Sequence, residues 1–165
     1  MLFRSLVVFH VAVSLIGIVT GLVVLCHLLA ARPDRASTGA FLATTLLTSL
    51  TGFLFPAERL MISHALGIMS LIALAIAIPA LYWFRLTGIW RWLYVAGAVT
   101  ALYLNVLAVI GEAFMRLPFL KPLAPTLSEA PFLVAQSVAL AAFLVLGVLA
   151  AVRFRPPTTG PDPIG

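Results

Sequence analysis

The sequence predicts an all-α integral membrane protein, a bundle of five transmembrane helices. Of the 165 residues, 63% are hydrophobic and 9% are charged, whereas soluble domains have roughly 45–50% apolar and about 25% charged residues. Five apolar runs, each long enough for the roughly 20-residue helix that crosses a bilayer, fill nearly the whole chain. In lipid only helices and closed barrels satisfy their own backbone hydrogen bonds, so the runs are predicted to be helices. We expect one transmembrane domain over residues 1–155 and a disordered polar tail over 156–165.

Charge and cysteine content narrow the expected partners. The net charge of +5 comes from basic residues scattered singly between apolar runs, so they are predicted to be membrane-surface anchors and nucleic acid is not an expected partner. Cys26 is the only cysteine, so no disulfide forms within the chain. The expected partners are the lipid bilayer and another membrane protein.

The first helix is predicted over about residues 5–31, and Pro33 follows its end. This run exceeds the roughly 7–15 residues of a signal-peptide core, so we expect it to be retained as a helix. His10, Gly17 and Gly21 share one face, and the Gly-xxx-Gly spacing lets two membrane helices approach closely. His27 lies near the opposite end of the helix, in a different environment.

The second helix is predicted over about residues 37–55, with Ser37 or Thr38 as its N-cap. It is rich in hydroxyl side chains: Thr44, Thr45, Thr48, Ser49 and Thr51. One interpretation is that these hydroxyls bond to carbonyls of their own helix and assist packing. The alternative is a hydroxyl-lined pocket or path.

A tight hairpin is predicted to join the second helix to the third. Pro56, Glu58 and Arg59 lie in its turn, and the third helix follows over about residues 60–84 with His64 in its first two turns. Small side chains suit this helix to the bundle interior: Ser63, Gly67, Ala73, Ala75, Ala77 and Ala80. An aromatic belt then marks one membrane surface: Tyr82, Trp83, Trp90, Trp92 and Tyr94.

The fourth helix, about residues 91–116, has the clearest pattern in the chain. Seven residues fall along one line of its surface: Tyr94, Ala98, Ala101, Asn105, Ala108, Glu112 and Arg116. Because Asn105 and Glu112 would be costly against lipid, this face is predicted to contact protein.

The proline-rich segment over residues 117–130 is predicted to lie at the membrane interface. Thr126 and Glu129 have the spacing of a capping box, which predicts the start of the fifth helix over about residues 127–152.

Two runs resemble parts of a known class of proteins. Leu102-Tyr103-Leu104-Asn105 and the segment from Leu123 to Phe132 are similar to runs in small multi-pass bacterial inner-membrane proteins without an assigned function. The resemblance covers roughly the C-terminal two thirds of the chain and implies a bacterial inner-membrane location. In that pattern an uncharged Gln is expected where this chain has Glu112.

Alternating helices define two faces of the bundle, side A where the first helix begins and side B opposite. The basic residues on side A are Arg4, Arg59, Arg116 and Lys121. Those on side B are Arg32, Arg35, Arg85, Arg91, Arg153 and Arg155. The excess of positive charge predicts that side B is cytoplasmic, with the N-terminus outside and the C-terminus in the cytoplasm.

The same topology gathers ionisable and polar side chains towards side A. His10 and His64 lie there, with Glu112 and His64 the expected partners. The predicted polar cluster contains Thr48, Thr51, Glu112, Arg116, Gln136 and Asn105. A structural alternative is that the histidines reach the interface and Glu112 pairs with Arg116 four residues on.

These observations leave three functions open. The favoured prediction is a non-catalytic membrane subunit or accessory protein whose small-residue faces, Gly17-xxx-Gly21 and Ser63-xxx-Gly67, bind a larger partner. Hydrolytic catalysis is not indicated, because the sequence contains no GxSxG, HExxH or glycine-rich phosphate loop. The second is an electron-transfer subunit in which His10 and His64 bind a b-type haem or a quinone. The third is a small proton-coupled transporter using Asn105, Glu112 and the hydroxyls of the second helix, although no inverted repeat is evident.

Overall fold

The computed structural model of the chain describes residues 2–55 and 61–155, and this part is all-helical. Its five α-helices are α1 (Leu2–Leu29), α2 (Arg35–Gly52), α3 (Met61–Tyr82), α4 (Trp90–Arg116) and α5 (Ala130–Arg153). A 3₁₀ turn, Lys121–Leu123, lies between α4 and α5. The predicted all-helical class is therefore confirmed. The predicted hairpin residues Pro56, Glu58 and Arg59, and the predicted tail over 156–165, lie outside the described residues.

Four of the five helices are long and apolar enough to cross a membrane. They are α1, α3, α4 and α5, with qualifying segments Arg4–Leu29, His64–Tyr82, Trp90–Arg116 and Ala130–Arg153. The helix α2 is not among them, because threonines and serines replace aliphatic residues along much of its length.

The helix α4 is at the centre of the bundle. It packs against α1, α2, α3 and α5, and its contact with α3 is the most extensive one between helices. The helix α5 is peripheral, and Ala150 is its only fully buried residue. The helix α1 completes the bundle through contacts with α2, α4 and α5.

Two glycines bring α1 close to its neighbours, as the Gly-xxx-Gly spacing predicts. A Cβ added at Gly21 would lie 2.6 Å from Leu102 Cδ1 of α4 and 2.8 Å from Phe41 Cε2 of α2. A Cβ added at Gly17 would lie 3.3 Å from the Thr44 hydroxyl of α2. Both glycines therefore serve packing within this chain.

A third glycine controls the contact between α3 and α4. A Cβ added at Gly97 would lie 2.7 Å from the Ala73 carbonyl oxygen and 3.1 Å from Ala77 Cβ. Ala73, Ala77 and Ala80 are buried, as expected for a small-residue face. Ala75 was predicted to share that role but is exposed.

The interior divides into an apolar half and a polar half. An apolar core cluster occupies the half nearer side B and contains Val24, Leu25, Leu28, Phe41, Leu42, Ala73, Leu74, Ala77, Ala80, Tyr94, Val95, Ala98, Val99, Ala101, Leu102, Ala150 and Phe154. Thr38 is buried near side B, and the other buried polar side chains lie from the middle of the bundle towards side A: Thr45, Thr48, Ser49, Thr51, Ser70 and Asn105. These polar side chains are thus enclosed within the bundle, while large apolar side chains cover its outer surface.

The two helix starts that were predicted from capping residues, those of α2 and α5, are wrong by a few residues. The N-cap of α2 is Asp34, whose carboxylate accepts a hydrogen bond from the Ser37 amide at 2.7 Å, so neither Ser37 nor Thr38 is the cap. At the other site Glu129 accepts a hydrogen bond from the Thr126 amide at 3.2 Å, yet α5 begins only at Ala130. The Thr126 and Glu129 pair therefore closes the turn before α5.

The predicted protein-facing line on α4 is correct for only part of its length. Tyr94 and Asn105 are buried, but Ala108 and Glu112 are exposed, because the neighbouring helices cover the end of α4 near side A less completely. Tyr94 is also not part of an exposed aromatic belt. Its ring packs against Phe154, with ring centroids 6.1 Å apart.

Replacing Gly21 with alanine tests the close approach of α1. We expect Gly21→Ala to lower the free energy of unfolding by about 1–3 kcal/mol, because the added methyl group overlaps two buried side chains. The matched control is Gly39→Ala in α2, where an added Cβ meets nothing within 4 Å and should stabilise by up to about 1 kcal/mol. Equal thermal stability of the two variants in detergent would contradict this packing.

Candidate functional site

A buried polar contact between helices joins Asn105 of α4 to Thr45 of α2. The Asn105 side-chain amide donates to the Thr45 hydroxyl at 3.1 Å. Asn105 is 8% exposed and Thr45 is fully buried. A paired amide is tolerated in an apolar interior, whereas an unpaired one is costly. This contact fixes how α4 faces α2.

Most hydroxyls of α2 bond to carbonyls of their own helix. The hydroxyls of Thr44, Ser49 and Thr51 donate to carbonyls three or four residues earlier, at 2.7–3.1 Å. This bonding satisfies the donor of each side chain and lets it sit among apolar groups. The geometry of these three residues therefore matches the packing interpretation.

His10 is held against the end of α2. Its Nδ1 lies 2.8 Å from the Thr51 hydroxyl, whose single hydrogen is directed to the Leu47 carbonyl at 2.8 Å. The tautomer that satisfies both contacts has His10 Nδ1–H donating to Thr51. The other ring nitrogen, Nε2, then carries a lone pair and is able to accept a proton or bind a metal ion.

His64 approaches the same end of α2 from α3. Its ring lies against Phe53, with ring centroids 5.4 Å apart. The His10 ring contacts Phe55 edge to face, with centroids 5.1 Å apart. The two histidines that the sequence singles out therefore pack against neighbouring residues of one segment, 51–55.

Glu112 makes an ion pair with Arg116 on the same helix. The Arg116 Nε donates to the Glu112 carboxylate, and both side chains are exposed, by 48% for Glu112 and 68% for Arg116. This is the structural alternative to the predicted Glu112 and His64 pair. Exposed pairs of this kind contribute little to stability.

Three buried polar atoms make no hydrogen bond within the described part of the chain. They are the hydroxyl oxygens of Thr48 and Ser70 and the side-chain oxygen of Gln136. The Gln136 amide nitrogen does donate to the Leu107 carbonyl at 3.3 Å. The polar half of the interior thus keeps hydrogen-bonding capacity that its own residues do not use.

His27 belongs to a separate group at side B. Its Nδ1 lies 3.4 Å from the Ser37 hydroxyl, next to the N-cap of α2. The hydrogen bonds from Ser37 hold the pKa of the Asp34 carboxyl below its usual value. His27 is therefore distant from the side A histidines, as the sequence predicts.

Two features of the structure are not evident from the sequence: the contacts of Arg91 near side B, and Ser70 in the middle of the bundle. The Arg91 guanidinium donates to the Phe154 and Ala151 carbonyls at the end of α5 and also covers the Trp92 ring at 4.6 Å. Ser70 lies unnoticed within an apolar run. Arg91 is the second residue of α4, a position that is also typical of a membrane-surface anchor. Only the structure reveals that its guanidinium caps the end of α5.

Apart from Thr38 near side B, the buried polar residues in the described part of the chain lie from the middle of the bundle towards side A. Asn105, Thr45, Thr51 and His10 form a series from the middle to side A, and the apolar core cluster fills the other half. Within residues 2–55 and 61–155, no three His, Cys, Asp or Glu side chains are close enough to hold a metal ion. The transporter hypothesis gains no support from this arrangement.

Comparison with known proteins gives no family for this chain. No protein-family model, no curated protein and no solved structure matches it. The resemblance to small bacterial inner-membrane proteins therefore stays a prediction, and function has to be inferred from the contacts themselves.

Removing the Thr45 hydroxyl tests the buried contact with Asn105. We expect Thr45→Val to lower the free energy of unfolding by about 1–3 kcal/mol, because it leaves a buried amide unpaired. The control Thr44→Val removes a hydroxyl that bonds to its own helix and should change stability by less than about 0.5 kcal/mol.

A double variant, Thr45→Val with Asn105→Leu, should recover most of the loss, since both partners are then apolar. The measurement is chemical unfolding in detergent, followed by circular dichroism. If Thr45→Val is no more destabilising than Thr44→Val, the buried hydrogen bond does not hold α2 and α4 together.

Proposed function

We propose that the chain is an integral membrane protein in which all five helices cross the bilayer. The observation that carries the proposal is the distribution of side chains. Large apolar residues are exposed along the outer faces of the helices, including Leu15, Val19, Ile72, Val138 and Leu144, while Thr45, Thr48, Ser49, Ser70 and Asn105 are buried. Monomeric soluble proteins rarely expose apolar patches larger than a few hundred Å², so lipid is the solvent that fits this surface.

The case for α2 depends on which of its residues face outward. Five of its hydroxyl residues are buried and the other two, Ser37 and Thr44, are half-buried, whereas Ala43, Leu47 and Leu50 are exposed. Eighteen residues span about 27 Å as a helix, close to the roughly 30 Å of bilayer hydrocarbon. A helix enclosed by neighbours does not need the hydropathy of an isolated one, since its polar atoms never meet lipid.

The orientation is proposed from charge. Side B carries six basic residues and side A four, as counted above from the sequence, and positively charged loops remain on the cytoplasmic side. With the resemblance to bacterial inner-membrane proteins, this supports a multi-pass protein of the bacterial inner membrane, with its N-terminus outside and its C-terminus inside.

Its proposed role is that of a non-catalytic membrane subunit or accessory protein. The polar side chains on which a reaction would depend are engaged in structural contacts: Asn105 with Thr45, His10 with Thr51, and Glu112 with Arg116. The peripheral helix α5, whose outer face is exposed along its whole length, is the surface available to a larger membrane partner. A membrane protein that uses its polar groups this way contributes packing and position to an assembly.

Membrane insertion predicts a specific extraction behaviour. We expect the full-length protein to remain in the membrane pellet after alkaline carbonate and after urea, and to be released by detergent, because the lipid-exposed apolar surface cannot enter water. A peripheral membrane protein probed on the same gel is the control. Release into the carbonate supernatant together with that control would contradict five membrane-spanning helices.

A redox subunit is the second candidate, and one observation favours it. His10 donates through Nδ1 to Thr51, which leaves Nε2 as a metal-binding atom, and this hydrogen bond is the kind that orients a ligating histidine. His64 packs against the same end of α2. These residues are the ones that would hold a b-type haem or hydrogen-bond a quinone at side A. A bound haem would supply one-electron transfer.

The absorption spectrum of the purified protein separates the two roles. If the chain is a non-catalytic subunit, protein expressed with ample haem shows no reducible Soret or alpha band. If it is a haem subunit, both bands appear with dithionite and are lost in His10→Ala and in His64→Ala. His27→Ala is the matched control, because His27 lies at side B, and it should keep them. Bands that depend on His10 and His64 alone would overturn the non-catalytic role.

A further inference from the structure

An open groove runs along the outer surface between α3 and α4. Its volume is about 300 Å³, and its lining residues are Met69, Ile72, Ala73, Ile76, Leu93, Ala96, Gly97 and Thr100. Thr100 is the only one of these with a polar side chain. The groove is therefore a concave apolar surface on the outside of the bundle.

The groove exists because small residues line the seam between the two helices. The backbones of α3 and α4 come so close at Gly97 that an added Cβ would lie 2.7 Å from the Ala73 carbonyl oxygen. Ala96, beside Gly97, is exposed and small. Larger side chains stand on both sides, with Ile72 and Ile76 on α3 and Leu93 on α4. The small residues therefore form the bottom of the groove, and the larger apolar side chains of α3 and α4 form its two walls.

The dimensions of the groove suit a segment of a lipid chain. From Met69 to Ile76 on α3, and from Leu93 to Thr100 on α4, each wall spans eight residues, and its ends are about 10 Å apart along the helix. One leaflet contributes about half of the roughly 30 Å of bilayer hydrocarbon. The groove therefore covers most of the depth of one leaflet, beginning just below side B.

The end of the groove at side B carries aromatic and basic groups. Trp92 lies one helical turn from Ala96 and is 44% exposed. Trp83 lies two turns from Ile76, and its amide continues the last turn of α3 by donating to the Pro79 carbonyl at 2.9 Å. The loop that joins α3 to α4 also holds Arg85, which is exposed. Tryptophan and arginine at this depth meet lipid headgroups.

The charge at side B indicates which kind of lipid headgroup would bind at this end of the groove. In the described part of the chain, side B carries Arg32, Arg35, Arg85, Arg91, Arg153 and Arg155. The acidic residue there is Asp34, which caps α2. Arg91 is engaged with α5 carbonyls, so Arg85 is the arginine placed at the end of the α3 and α4 pair. Basic groups beside an interhelical groove favour anionic lipid.

We propose that this groove is a binding site for an anionic phospholipid, with one acyl chain between α3 and α4 and the phosphate-bearing headgroup held by Arg85. The proposal rests on membrane insertion of the bundle. It adds a defined lipid ligand that neither the packing nor the non-catalytic role requires. Lipid bound there seals the seam at Gly97 and couples α3 to α4.

Native mass spectrometry of the detergent-purified full chain tests the site. The protein is titrated with phosphatidylglycerol and with phosphatidylcholine of identical acyl chains. Ala96→Phe fills the groove, and Arg85→Gln removes the headgroup contact from an exposed loop without touching the groove. Ala108→Phe is the matched control, since Ala108 is also an exposed alanine of α4 but does not line the groove.

We expect the wild-type chain to carry one phosphatidylglycerol at concentrations where phosphatidylcholine adducts are about fivefold fewer, the factor expected for one arginine near a headgroup. Arg85→Gln should bind both lipids equally. Ala96→Phe should lose the adduct, and Ala108→Phe should keep it. The Arg85→Gln result stands even if Ala96→Phe reduces the yield of folded protein.

Three results would overturn the site. Equal binding of the two lipids by the wild-type chain would mean that only surrounding lipid is detected. An adduct retained in Ala96→Phe would place the lipid elsewhere. A dimer that dissociates in Ala96→Phe would show that a second copy of the chain occupies the groove. Each of these leaves membrane insertion intact, because carbonate extraction tests that separately.

Discussion

The constraint on which the rest of the structure depends is the enclosure of α2. A helix with this many threonines and serines is stable among apolar neighbours when most of its hydroxyls have hydrogen-bond partners and are turned away from lipid. Most of its hydroxyls bond to its own carbonyls, and Thr45 accepts the Asn105 amide. The neighbours α1, α3 and α4 all pack against α2 and shield it. The polar interior and the apolar exterior are thus two consequences of one arrangement.

Close approach between helices follows from the same requirement. Without a hydrophobic driving force between helices in lipid, association depends on van der Waals contact and interhelical hydrogen bonds. Gly21 and Gly97 supply the contact by letting α1 and α3 approach α4. Asn105 supplies the hydrogen bond at mid-bundle. The apolar core cluster and the buried polar contacts lie at different depths, so the two kinds of interaction hold different halves of the bundle.

The helical class and the use of Gly17 and Gly21 could be predicted from the sequence because they follow from composition and from a fixed spacing. The N-cap Asp34 could not, since a run of Pro, Asp, Arg, Ser and Thr offers several caps and only the backbone conformation selects one. The exposure of Glu112 also depends on how far neighbouring helices extend, which periodicity does not encode. Likewise the contact of His10 with Thr51 needs the relative depth of α1 and α2, and spacing within either helix leaves that depth open.

The central claim is that α2 crosses the bilayer although its own composition is too polar to require it. Single cysteines at the two ends of α2, Pro33→Cys and Leu54→Cys, test this most directly in a Cys26→Ala background, using a membrane-impermeant maleimide on sealed vesicles of known orientation. Both positions are exposed. If α2 crosses, the reagent labels the two cysteines from opposite sides of the membrane. Labelling of both from the same side would show that α2 lies outside the bilayer, and the enclosed polar interior would have no membrane role.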